Sequence, residues 1–124
     1  MIDHMTLRVR DHAKSKAFYK AALAPLGYEI IMEWEGFCGM GVKKKPDFWL
    51  APVDKEHAHY DQLHIAFRAP DRKAVKEFYE AAIKSGGKDN GGPGTRKEYH
   101  PNYYGAFVID PDGHNVEACC HDPE

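Results

Sequence analysis

The chain contains itself twice. Displaced by 60 residues, segment 4–27 falls on segment 64–87 without a gap, with nine identities in 24 positions. His4 meets His64, Arg8 meets Arg68, Asp11 meets Asp71, Lys16 meets Lys76, Phe18-Tyr19 meets Phe78-Tyr79, Ala21-Ala22 meets Ala81-Ala82, and Gly27 meets Gly87. A chain of this kind is read as two copies of one supersecondary unit that bury their apolar faces together.

Each copy reads as a strand, a helix and then further strands. Met5, Leu7 and Val9 alternate with Thr6, Arg8 and Arg10, and Leu63, Ile65 and Phe67 alternate with His64, Ala66 and Arg68. This period of two marks strands with one buried face. Asp11 and Asp71 stand where helix N-caps belong. Val75, Phe78, Tyr79, Ala82 and Ile83 form a helical apolar stripe, matched in the first copy by Phe18, Tyr19, Ala22 and Leu23. Pro25 with Gly27, and Gly86 with Gly87, stop the two helices.

The first copy then offers strands at 28–34, 37–42 and 48–51, with the lysines at 43–45 as a hairpin tip. The second offers a weak strand near Lys88, a glycine-rich loop at 91–94, and stronger strands at 103–109 and 115–121. Asp110-Pro111-Asp112-Gly113 joins the last two as a turn. The polar segment 52–61 lies between the copies. The expected organisation is a first module over 1–53, a linker over 54–61 and a second module over 62–124, the pair making one structural domain. The expected fold is α+β: two tandem βαβββ modules whose curved mixed sheets enclose a polar cavity, within the chain or across a dimer.

Composition limits what such a domain does. With 43% hydrophobic residues in 124 it can build a core without staples. A net charge of −2 and a sequence pI near 6.4 argue against nucleic acid as a partner. No apolar run approaches the ~20 residues needed to span a bilayer, and the first residues lack the apolar core of a secretion signal. Three cysteines, two of them adjacent, make no disulfide framework. The expected setting is the reducing cytoplasm.

The chemistry resides on the polar strand faces. His4 and His64 occupy equivalent places, and Glu117 alternates away from Val116 and Ala118 on the last strand. Two imidazoles and one carboxylate form a set that suits Fe2+, Mn2+, Zn2+, Ni2+ or Co2+ and leaves positions open for substrate. Arg8 and Arg68 share the histidine faces, either as solvated strand ends or as clamps for an anionic group. In the loop over 96–104, His100, Asn102 and Tyr103 are candidates for acid/base work or substrate contact. Cys119 shares the face of Glu117, and free cysteine ordinarily packs as a small hydrophobe. His12, His57 and His59 read as solvated, and neither His114 nor His121 is given a role.

Three segments, IDHMTLRVRD, LHIAFRAPD and YYGAFVIDPDGHNVEA, carry a resemblance over nearly the whole chain. The chain resembles the vicinal-oxygen-chelate superfamily, which includes glyoxalase I, extradiol dioxygenases, fosfomycin-resistance thiol transferases and bleomycin-resistance proteins. The resemblance implies the paired βαβββ fold, a homodimer, and a divalent metal held by His4, His64 and Glu117. The implied activity is lyase, isomerase or dioxygenase chemistry on a small molecule with two adjacent oxygens. Glyoxalase I places a further Glu on the last strand of its first copy, but here that place falls at Phe48 or Trp49. Neither can ligate a metal, so the pair reads instead as an aromatic wall for substrate. The competing expectation is a metal-free drug- or small-molecule-binding protein of the bleomycin-resistance type.

Overall fold

The computed structural model describes residues 1–58 and 62–123. Its elements run β1 (Met5–Val9), α1 (His12–Leu23), β2 (Glu29–Trp34), β3 (Phe37–Val42), β4 (Lys45–Pro52), β5 (His64–Arg68), α2 (Arg72–Lys84), β6 (Lys88–Thr95), β7 (Tyr104–Ile109) and β8 (Asn115–Cys120). Both helices start as the sequence indicates: the Asp11 carboxylate accepts from the Lys14 N–H at 3.0 Å and that of Asp71 from the Ala74 N–H at 2.7 Å. A 3-10 turn over Ala24–Leu26 ends α1, and Gly27 closes it at φ 90°, a conformation that favours glycine.

The strands form two four-stranded sheets, ordered β1-β4-β3-β2 and β5-β8-β7-β6. In each, the first strand pairs in parallel with the last, and the remaining pairs are antiparallel. One face of each sheet packs on the helices. Leu7, Val9, Phe48 and Leu50 are buried in the first module, and Phe67, Ala106, Val108, Val116 and Ala118 in the second. These residues belong to one continuous core with Phe18, Tyr19, Val75 and Phe78 from the helices. The edge-to-face ring pair Phe48–Phe67, 5.2 Å between centroids, joins the modules.

Two expectations change. The glycine-rich stretch is not a loop but the middle of β6, where Gly91 sits opposite Phe107 and Gly94 opposite Gly105. Register shifts lie on both sides of Gly91, and such bulges let a ladder continue through residues with poor strand propensity. The sheets also do not close on each other within the chain. Where they adjoin, a seam cavity of about 190 Å³ is lined by Asp3, Met5, Asp47 and residues 65–68 among others. The linker expected over 54–61 falls partly on residues 59–61, including His59, which lie outside the described residues. His57 is exposed and bonds Asp54, whereas His12 keeps a buried ring nitrogen and His114 is wholly buried. Among the described residues no helix is long and apolar enough to cross a membrane.

The turn between β7 and β8 does more than reverse the chain. The buried Asp110 carboxylate accepts the Tyr19 hydroxyl of α1 and the backbone N–H groups of Asp112 and His114. Asp112, also buried, accepts the Ser15 hydroxyl and the Arg10 N–H, both at 3.2 Å. Two carboxylates of the second module thus satisfy donors of the first. Burial and the adjoining Asp110 push the Tyr19 hydroxyl well above the usual tyrosine range.

Candidate site on the polar sheet faces

On β8, the alternation that sends Val116, Ala118 and Cys120 to the core sends Glu117 and Cys119 to the opposite face. Parallel pairing puts His64 beside Asn115 and Ala66 beside Glu117. The His64 Nε2 lies 2.8 Å from the Glu117 Oε2, and the Tyr103 hydroxyl donates to Oε1. Glu117 is 2% exposed, yet half of the His64 side chain faces solvent. Gly105 leaves the room for this cluster: a Cβ there would stand 3.2 Å from both the Glu117 Oε1 and the Tyr103 ring. Desolvation, then the bonded Glu117, holds the Tyr103 hydroxyl far above its usual range, so it keeps its proton.

Around this pair the loop and the chain end converge. The His121 ring lies 4.9 Å from that of Tyr103 and 5.6 Å from that of His100. Its Nε2 is 4.0 Å from the Cys119 sulfur. Burial raises the Cys119 thiol above its ordinary range. His100 also organises its own loop, its Nδ1 accepting the Asn102 N–H at 3.1 Å. His121 does carry a sequence signal, since it continues the alternation of Glu117 and Cys119, but the structure ends β8 at Cys120 and the histidine's place beside Tyr103 depends on how the loop over 96–104 meets the chain end.

The structure brings His64, Glu117 and Tyr103 together and leaves His4 outside. His4 precedes β1 and its Nδ1 bonds the Asp3 carboxylate at 2.8 Å, in an exposed pair. Among the described residues no three metal-ligating side chains form a group. Arg8 donates to the Pro52 carbonyl at 3.0 Å, a structural bond. Arg68 is exposed and lines the seam cavity.

The aromatic pair of the first module separates. Phe48 is a core residue, 1% exposed, packed on Tyr19 and Phe67, and does not line the polar face. Trp49 does, and register fixes its place. Thr6 pairs with Trp49 as Ala66 pairs with Glu117, and Thr6 is the repeat partner of Ala66. Trp49 therefore occupies the position of the acid. The nearest carboxylate, Asp47, falls at an irregularity in the β3–β4 ladder, where Met40 pairs with Phe48 but Gly41 pairs with Pro46. It lies instead in the seam cavity with Tyr28. Burial, with Asp47 adding to it, raises the Tyr28 hydroxyl.

Opposite Trp49 stands Gly39, and a Cβ there would come within 2.7 Å of the indole. A methyl group would have to displace the ring. Gly39→Ala should cost about 1–3 kcal/mol of stability and shift the tryptophan emission, read by denaturant unfolding and fluorescence. An unchanged emission spectrum would show that the ring does not rest on Gly39.

Comparison with known proteins adds the lineage. The sequence pattern of the Glyoxalase/Bleomycin resistance protein/Dioxygenase superfamily matches residues 1–118. A search of curated proteins returned no match. Among solved structures, a glyoxalase/bleomycin resistance protein from Albidiferax ferrireducens T118 superimposes with a TM-score of 0.80 at 25% identity, covering 98% of both chains. A glyoxalase/bleomycin resistance protein/dioxygenase family enzyme from Burkholderia phytofirmans PsJN gives 0.73 at 16% identity, again over 98% of both chains. A glyoxalase-related enzyme from Fulvimarina pelagi gives 0.70 at 18% identity, over 96% of this chain and 86% of its own. The repeat, the two mixed sheets and the pattern shared over 118 residues agree: the chain belongs to the glyoxalase/bleomycin resistance protein/dioxygenase superfamily.

Proposed function

We propose that the protein is a metal-dependent enzyme of the glyoxalase-like kind, working as a homodimer on a small molecule with two adjacent oxygens. The observation that carries this reading is the His64–Glu117–Tyr103 cluster. A carboxylate only 2% exposed has, as its hydrogen-bond partners among the described residues, an imidazole and a phenol. Neither carries an obligatory positive charge, and a buried carboxylate calls for one. The 2.8 Å between Nε2 and Oε2 is about the spacing of two adjacent ligands on one ion with ~2.1 Å bonds. The donors present therefore fit a divalent ion such as Fe2+, Mn2+, Zn2+, Ni2+ or Co2+.

His64 and Glu117 make two of the three ligands, and His4 of a second copy is the third donor in this reading. A bound ion would act as a Lewis acid toward substrate oxygens. Tyr103, whose hydroxyl keeps its proton, positions Glu117 and can supply a proton to a substrate oxygen. Trp49 offers no base where glyoxalase I has a carboxylate, which turns the reading toward lyase, isomerase or dioxygenase chemistry that works from three ligands. The composition supports a cytoplasmic protein without nucleic-acid or membrane partners.

Complementation tests this. Tag-free protein should hold about one divalent ion per chain. His4→Ala and His64→Ala variants should each bind none. Unfolded and refolded together, they should recover about one ion per four chains, because each mixed dimer regenerates one intact site. No recovery on mixing would exclude a site shared between copies. No ion in the unsubstituted protein would instead favour the metal-free binding protein. That second reading draws on the Glu117 oxygens, which already have His64 and Tyr103 as partners.

A further inference from the structure

The polar face of the first module is aromatic where that of the second is acidic. Trp34 and Phe37 face each other across the β2–β3 hairpin and stack at 5.8 Å between centroids, 21° between planes. Trp49 lies 5.5 Å from Trp34, tilted by 59°. Met32 pairs with Gly39, so it shares this face. Met32 and Trp34 are the two most solvent-exposed large apolar side chains of the β-strands, at 46% and 50%.

The two modules exchange bulk at matching places. In the second, Phe107 of β7 stands opposite Glu117; in the first, Gly39 of β3 stands opposite Trp49. With no side chain at Gly39, the indole takes the space that a Cβ there would fill, within 2.7 Å of the ring. An indole needed only for core packing would not be seated on the face away from the helices, beside a second, half-exposed indole. The rings touch one another and leave no slot between them, so what they offer is an outer surface. That surface suits a flat π-system, which gains from offset stacking, over an aliphatic chain of equal size.

We infer that Trp34, Phe37 and Trp49 form a stacking platform for a planar conjugated ring, and that the ligand of this protein carries one. The inference deepens the function proposed above. It rests on that reading only for placing the ring's polar edge toward a His64–Glu117 pair; the platform itself lies within one chain.

The chain has two tryptophans, both in the platform, so the two indole N–H resonances of the 15N-labelled protein report on it directly. The probes are 2-naphthol and its saturated counterpart decahydro-2-naphthol. The aromatic probe should shift both resonances saturably and bind about threefold to tenfold more tightly than the saturated one. Trp49→Leu should remove that preference. So should Trp34→Ala, at a half-exposed strand end where folding is least at risk. Both variants should keep the metal content of the parent. Equal binding of the two probes, or an undiminished preference in both folded variants, would overturn the inference. Indole shifts that follow protein concentration and ignore the probe would overturn it too, since a second copy would then be the occupant. An unsubstituted protein that holds no divalent ion yet keeps the ring preference would sink the metal reading alone.

Discussion

Glu117→Gln should abolish divalent-metal binding while leaving the protein as stable as before, or more so. The two effects separate because they come from different properties of one group. As a ligand, the carboxylate supplies the only formal negative charge in the proposed set, and an amide oxygen is a far weaker donor. Disturbing only an outer partner of a ligand typically costs 10–100-fold in affinity, so losing the charge itself should cost at least about a hundredfold. As a folding element, the same carboxylate is a buried charge, 2% exposed, held by a phenol and an imidazole. Glutamine keeps the shape and can still accept from Tyr103, while the desolvation of a charge disappears. Because neither partner carries an obligatory positive charge, removing the charge relieves a burial cost and leaves no fixed opposite charge unpaired. Calorimetric metal titration and metal-free thermal unfolding, run on the same two proteins, read both quantities. A Glu117→Gln protein that binds metal like the parent would remove Glu117 from the site. A strongly destabilised one would mean that the ionised carboxylate is a structural member of the fold.

Much of this fold was legible because its signals are local and doubled. Alternation in β1 and β5, the caps at Asp11 and Asp71 and the glycine after each helix all act within a few residues, and the 60-residue repeat lets one copy check the other. Of the strand at Lys88–Thr95 the sequence shows only a weak start near Lys88, for the opposite reason. Asn90, Gly91, Gly92, Pro93 and Gly94 have poor strand propensity, and they pair only because β7 presents a complete ladder and bulges absorb the mismatch. The site divides along the same line. Glu117 and His64 could be named from alternation, and Tyr103 from the density of polar and aromatic groups around it. That Trp49 rather than Phe48 stands in the acid's place is a matter of register, and a slip of one residue exchanges core for surface. The shift between Met40 and Gly41 is the kind of irregularity that a sequence does not announce. Trp34 and Phe37 escaped notice because their partnership depends on the hairpin turn that sets them face to face. Symmetry of sequence groups His4 with His64, but equivalent positions in two modules need not be neighbours within one chain.

The same Asp-Pro-Asp-Gly turn that reads as a simple reversal should prove the costliest place in the chain to alter. Asp110→Ala leaves the Tyr19 hydroxyl and the N–H groups of Asp112 and His114 without their acceptor, in a site where Asp110 itself is 5% exposed. An unsatisfied buried donor costs about 1–3 kcal/mol, so the substitution should cost on the order of 3–5 kcal/mol, or ~10–20 °C in Tm for a domain of this size. Tyr19→Phe removes only one donor and should cost about 1–2 kcal/mol. The two changes should couple: in the Tyr19→Phe background Asp110→Ala should cost at least ~1 kcal/mol less than in the parent. Additive costs would mean that the turn is stabilised by its own backbone and does not latch the modules. An alkaline limb gives an independent reading. The Tyr19 hydroxyl is raised well above its ordinary value of 10.0 in the folded protein, so the folded state holds this proton more tightly than the unfolded chain. Its contribution to stability is complete below pH ~10 and falls as pH rises from there toward the folded value. The parent should therefore lose stability above pH ~10 more steeply than Tyr19→Phe, in urea unfolding measured across that range. Parallel curves would show that this hydroxyl does not titrate with folding.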